Sequence, residues 1–186
     1  MKYFVYVIAL VLSVIVFSCN EDEKESLEGK LVKTVWMQTK IEVYENNSLV
    51  AELEWPEDPT CGDFLRFQGE KKVSYLSECA DAGCGHWLIE GKTVEYIIAA
   101  DRIIPNLCTQ ENYQELFSAQ DEIEINGSDM VATGFGFGMR FLAAQPEYEE
   151  WKTKYDNGTL YCKTYFVASN PSISNDVSCC AEFDWQ

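Results

Sequence analysis

The stretch CGDFLRFQGEKKVSYLSEC, residues 61–79, decides how this chain is read. Two apolar-alternating runs flank Gly69, the pattern of an antiparallel hairpin. If the turn centres on residue 70, Phe67 faces Val73, Leu65 faces Tyr75, Asp63 faces Ser77 and Cys61 faces Cys79. All these residues share one face of the ribbon, because side chains alternate along a strand. Opposed residues of a non-hydrogen-bonded pair have Cα atoms about 4.5 Å apart, within reach of a disulfide. Cys61 with Cys79 is therefore the first bridge expected, and Cys79 with Cys84 across the next turn is its rival.

Outward from this hairpin the same grammar continues. Short segments rich in Val, Ile, Tyr, Phe and Thr are broken every 8 to 12 residues by Gly, Asn, Asp or Pro, as in an all-β sandwich or barrel. Strands are expected near 32–44, 49–55, 63–68, 72–79, 84–90, 92–99, 102–107, 121–126, 129–143 and 159–168. Two segments read as helices. One is 110–117, started by Thr109; the other is 146–155, with Pro146 in its first turn and Tyr148, Trp151 and Tyr155 along one side. Asn157-Gly158 then supplies a tight turn into the last strand.

Charge narrows the partners. Lys2 is the one cation before residue 20, so the chain beyond it carries 13 cations against 31 acidic residues, a net charge of −18. Such a surface repels nucleic-acid phosphates and anionic headgroups, which argues against nucleic acid and against membrane attachment by a basic patch. A basic protein partner is compatible with it.

Residues 1–19 hold Lys2, an apolar run from Tyr3 to Phe17, then Ser18 and Cys19. The run is too short to span a bilayer but has the length of a secretory signal core. Ser18-Cys19 resembles the lipobox of bacterial lipoproteins, which implies diacylglyceryl attachment at Cys19 and removal of residues 1–18. Residues 19–29 would be an acidic tether and order would begin near Lys30. The expected location is the bacterial cell envelope, lipid-anchored, at the outer membrane. Eight cysteines in an exported chain argue for disulfides. With Cys19 lipidated, seven remain, and three bridges with one thiol left over is the natural count. Cys179 and Cys180 are too close to bridge each other without distorting the peptide between them, so one of them is expected to staple the tail to Cys162 or Cys108.

The order Trp36, Cys61, Phe64, Phe67, Gly69, Cys79, then Gly85-His86-Trp87-Leu88-Ile89-Glu90-Gly91, resembles the lipocalin-like domain of small bacterial lipoproteins. The resemblance covers about residues 30–168 and implies an antiparallel barrel of eight or more strands, often with a cysteine pair at the positions of Cys61 and Cys79. The expected organisation is thus signal 1–18, tether 19–29, barrel 30–169 with one or two short helices, and a cysteine-containing tail 170–186.

No catalytic arrangement is assembled by the sequence. His86 is the single histidine, and nothing places a nucleophile beside it. Cys79, Cys84, His86 and Cys108 lack the spacing of a zinc site, and Glu57 to Asp63 lacks the alternating ligands of a calcium loop, so no metal or cofactor is expected. Gly134-Phe-Gly-Phe-Gly138 has neither the helix nor the lysine of a phosphate-binding loop. Read with period two, it puts Phe135, Phe137 and Phe141 on one face, as barrel core. Gly134, Gly136 and Gly138 then lie on the other, open to close approach by a helix, a strand or a ligand. The function expected is binding, not catalysis: a small hydrophobic or amphipathic ligand held by Trp36, Tyr75, Trp87, Tyr96, Phe135, Phe137 and Phe141. A surface module that recognises a basic protein is the alternative.

Overall fold

A computed structural model describes residues 25–54, 62–77, 82–100, 114–136, 138 and 142–169. The expected signal, Cys19, Cys61, Cys79, Cys108, the strand at 102–107, Phe137, Phe141 and the tail 170–186 lie outside these residues.

The described chain is all-β, with strands β1 (Val35–Glu45), β2 (Ser48–Glu54), β3 (Asp63–Phe67), β4 (Lys72–Ser77), β5 (Ala82–Glu90), β6 (Thr93–Ala100), β7 (Gln114–Asn126), β8 (Asp129–Gly134) and β9 (Leu160–Ser169). Helix α1 (Leu27–Lys33) precedes β1 and helix α2 (Tyr148–Asp156) precedes β9. Every pairing is antiparallel, and β9 returns to β1, which closes the sheet. Because β9 takes one edge of β1 along residues 35–45, β2 and β3 share the other edge, β2 beside residues 40–45 and β3 beside 35–37. The result is a closed eight-stranded barrel with β2 as an extra strand, the architecture that the lipocalin-like resemblance implied.

The hairpin that anchored the sequence reading has the expected register: Asp63 opposes Ser77, Leu65 opposes Tyr75 and Phe67 opposes Val73. Its turn is a short 3-10 segment, Gly69–Lys71, with Lys71 at φ +61°.

Three segments depart from expectation. The first strand opens at Val35, not residue 32, because the chain before it is helical. Ser26 caps α1 by accepting a hydrogen bond from the Gly29 amide, and Leu31 is driven fully into the barrel. The boundary expected between tether and barrel at 29/30 therefore falls inside a helix. Residues 114–117, expected as the end of a helix, are strand, since β6 supplies partners for Gln114, Glu115 and Phe117. Long-range pairing overrides local propensity there. Finally, the strand expected from 129 to 143 stops at Gly134, and Gly136, Gly138 and Leu142 are helical.

Helix α2 presents Trp151, Tyr148 and Tyr155 to the protein, as its spacing implied, with Glu147, Glu149 and Glu150 exposed. The turn after it has Gly158 at φ +71°, a conformation suited to glycine.

Two apolar clusters result. The larger lies inside the barrel toward α1 and contains Leu31, Trp36, Phe67, Trp87, Val94 and Phe166. Trp36 Nε1 donates to the Leu31 carbonyl, and the Lys71 ammonium sits over the Trp87 ring while pairing with Glu28, so that α1 is fastened across this end. The second cluster joins Ile41, Val43, Leu160 and Cys162 to Phe135, Leu142 and Trp151 from the β8–β9 connection.

Candidate functional site inside the barrel

Strand alternation identifies what faces inward. In β9 the buried residues are Leu160, Cys162, Thr164 and Phe166, and their partners on β1 and β8 must face the same way. Inward positions on β1 are thus Trp36 and Gln38 and, after a register shift between Gln38 and Lys40, Ile41 and Val43. On β8 they are Met130, Ala132 and Gly134, opposite Ile125, Ile123 and Asp121 of β7.

Polar side chains lie among these inward positions. Gln38, Asp63, Asp121 and Thr164 are each buried to within 4% of full exclusion from solvent. Two tyrosines of the apolar wall turn their hydroxyls to the carboxylates. Tyr75 donates to Asp63 Oδ1, and Tyr96 donates to Asp121 Oδ2 at 3.2 Å. Asp121 Oδ1 also accepts the Gly136 amide at 3.2 Å, which ties the chain beyond β8 to the barrel wall. Burial and the neighbouring Asp121 charge together push the Tyr96 hydroxyl well above the ordinary tyrosine range. Burial, reinforced by Asp121, pushes the Cys162 thiol up to about 12, so this free cysteine stays protonated. Of the two expected partners for the tail, Cys162 is a free thiol here, and Cys108 and the tail itself lie outside the described residues. Gln38 Nε2 is buried without a hydrogen-bond partner.

The candidates named from sequence separate into three groups. Trp36, Tyr75, Trp87 and Tyr96 all line the barrel interior, and none is more than 3% exposed. Phe135 is equally buried but belongs to the second cluster, stacked on Tyr155 at 4.7 Å and near Tyr148 at 6.3 Å. It packs under α2 in the cluster that also holds the inward-facing Ile41, Val43, Leu160 and Cys162, so it lies in the core at that end of the barrel, carried there by the β8–β9 connection and not by a continuing strand. Phe137 and Phe141 are outside the described residues. The glycines are closely approached. A Cβ at Gly134 would collide with Asp121 Oδ1, and one at Gly138 would meet Ile41 Cγ2 and Thr164 Oγ1, both at 3.3 Å. Of the helix, strand or ligand that the sequence left open, it is residues of strands β7, β1 and β9 that come close to these two glycines.

The interior polar residues are what the sequence reading missed. Asp63 stands on the face of Leu65 and Phe67, and Asp121 alternates with Ile123 and Ile125; a carboxylate on an apolar face is itself the signal.

A second polar group lies on the outer wall. Glu42 accepts from the Tyr44 and Tyr165 hydroxyls at 2.7 and 2.6 Å and pairs with Lys40 at 2.6 Å. Tyr44 stacks on Tyr161, with centroids 5.1 Å apart. Among the described residues no cluster of three or more His, Cys, Asp or Glu side chains is placed to hold a metal ion.

No protein-family model, curated protein or solved structure matches this chain.

Proposed function

We propose that this protein is a lipid-anchored, lipocalin-like lipoprotein of the bacterial envelope that binds a small amphipathic ligand inside its barrel, and that it acts by binding and not by catalysis. The observation that carries this reading is the set of buried polar groups on an otherwise apolar interior. Burying carboxylates and amides away from water is unfavourable unless each finds a partner, and an unpaired amide donor costs about 1–3 kcal/mol. A barrel selected for stability alone would fill these positions with aliphatic side chains. A ligand with an apolar body and a polar head explains both halves of the interior. Trp36, Phe67 and Trp87 offer the apolar wall, and Gln38 Nε2 offers a buried donor without a partner.

Tryptophan emission tests this. Trp36 and Trp87 are fully buried in the barrel, so entry of a ligand alters their surroundings. Titration with fatty acids, isoprenoids, fatty alcohols and small aromatics is expected to give a saturable shift for at least one class, insensitive to salt. A flat response across the panel would remove the internal-ligand reading.

The second reading, a surface module for a basic protein, is favoured by one feature. Leu49 and Val50 of β2 are about half exposed, on the strand that also carries Glu52 and Glu54. Docking there would weaken as salt screens the acidic surface.

A further inference from the structure

Strand β2 has one free side. Every other described strand has a neighbour on both sides in the closed sheet, whereas β2 pairs only with β1, so among the described residues the backbone donors and acceptors of its far edge meet no strand. That edge is open to solvent: Ser48, Leu49, Val50, Glu52 and Glu54 are exposed, and only Ala51 and Leu53 are half-covered. The register explains the alternation. Leu53 and Ala51 oppose Ile41 and Val43, so they share the inward face and pack on the second apolar cluster, while Glu54 and Glu52 oppose Lys40 and Glu42 on the outer face. The two exposed glutamates are poorly neutralised. Lys40 lies 3.4 Å from Glu52 but 2.6 Å from Glu42, and among the described residues Glu54 is in no ion pair.

We propose that the free edge of β2 takes up an extended basic segment of a partner protein as an added strand, one in which lysines or arginines alternate with apolar residues. This rests on the surface-module reading above and gives it a place and a partner chemistry. Alternate side chains of an added strand lie beside Ala51 and Leu53, where apolar groups extend the half-covered inward face. The side chains between them lie beside Glu52 and Glu54, where cations supply the missing charge. Main-chain hydrogen bonds to the edge give affinity, and the alternation gives specificity. A second copy of β2 fits this edge less well. Antiparallel pairing about the central Ala51 sets Glu52 of one strand diagonal to Glu52 of the other, and each chain carries a net charge of −18 beyond Lys2, so like charges meet with no cation between them.

The experiment compares three fluorescently labelled peptides, KVKVKVKV, KKKKVVVV and EVEVEVEV, by anisotropy. The wild type is expected to bind KVKVKVKV at least tenfold more tightly than KKKKVVVV, which has the same charge and composition, and not to bind EVEVEVEV. Methylating the backbone nitrogens of alternate residues of KVKVKVKV removes strand donors but no charge, and one of the two phases should abolish binding. Hydrogen exchange should slow at residues 48–54 in the complex. Glu52→Gln combined with Glu54→Gln should weaken binding at least tenfold, with a thermal melt to establish that the barrel is folded; the peptide comparison on the wild type does not depend on that variant. Equal binding of KVKVKVKV and KKKKVVVV, binding that survives both methylations, or protection confined to residues outside 48–54 overturns the added strand while leaving a surface for basic partners standing. Binding of none of the peptides overturns both. Dimers of the free protein that protect residues 48–54 would give the edge to a second copy and overturn the basic partner.

Discussion

Asp121 of β7 and Gly134 of β8 oppose each other across the barrel wall, and the Asp121 carboxylate fills the space that a side chain at 134 would need. The carboxylate is held there by the Tyr96 hydroxyl and the Gly136 amide. Gly134→Ala would push a methyl group into Oδ1 and also within 2.8 Å of the Gln120 carbonyl, a backbone atom that cannot swing aside. Displacing a buried carboxylate from its donors should cost about 2 kcal/mol or more. Urea unfolding is expected to show that loss for Gly134→Ala, with a smaller one for Gly69→Ala, where nothing lies within 4 Å of the added carbon. Equal stability of the two variants would mean that Asp121 has another resting place.

Cys162 should be the cysteine left over. It is a buried free thiol on β9 with its ionisation pushed up to about 12. With Cys19 lipidated, six others remain for three bridges, and the observed register from Phe67–Val73 to Asp63–Ser77 points, two residues further on, to Cys61 and Cys79. Closing that loop of about 19 residues contributes on the order of 3 kcal/mol by the chain-entropy relation. Under native conditions iodoacetamide should label no thiol, and after denaturation without reductant it should label Cys162 alone. Peptide mapping that joins Cys61 to a cysteine other than Cys79 would refute the pairing.

Legibility of the sequence tracked the range of the interactions. The hairpin 63–77 could be read to the residue because its register follows from a local turn and a period-two pattern within one ribbon. β7 could not, since Gln114 to Phe117 have no local pattern that decides between helix and strand and take their conformation from β6. After Gly134 the alternation Phe135, Phe137 and Phe141 imitates a continuing strand, yet the backbone turns helical at Gly136, where Asp121, 15 residues earlier in the chain, accepts its amide. The aromatic interior of Trp36, Trp87 and Tyr96 was visible as hydrophobic positions. Gln38 was not, because the register shift just beyond it breaks the alternation that would have placed it on the face of Ile41 and Val43.

Lipid attachment at Cys19 is tested in cells. Several acyl chains hold a protein stably at a bilayer, whereas the acidic segment after Cys19 contributes no affinity of its own. Cys19→Ser should shift the protein from the membrane to the soluble fraction or leave its signal uncut. A mature protein whose Cys19 is unmodified by mass spectrometry would end the lipoprotein reading.

The outer wall gives a pH prediction with a definite sign. Burial is the largest single influence on Glu42 and opposes its ionisation. The hydrogen bonds from Lys40, Tyr165 and Tyr44 together outweigh it and lower the carboxyl from 4.5 to about 2. A carboxyl whose folded value lies below its unfolded one stabilises the fold fully above the unfolded value and loses that contribution as pH falls through the folded one. The network should therefore support the barrel at pH 5 and above and fade between about pH 4.5 and 2. The Tyr165 hydroxyl is raised, by burial first and then by its bond to Glu42, so its contribution is complete below pH 10 and declines as alkali deprotonates the unfolded chain. In Glu42→Gln the acid-side loss of stability between pH 5 and 3 should be shallower than in the wild type, and the alkaline loss above pH 10 should be shallower too, since without the Glu42 charge the folded Tyr165 hydroxyl falls back toward its unfolded value. Chemical unfolding across pH 3 to 11 measures both limbs. Parallel curves for the two proteins would show that Glu42 is not the group that titrates.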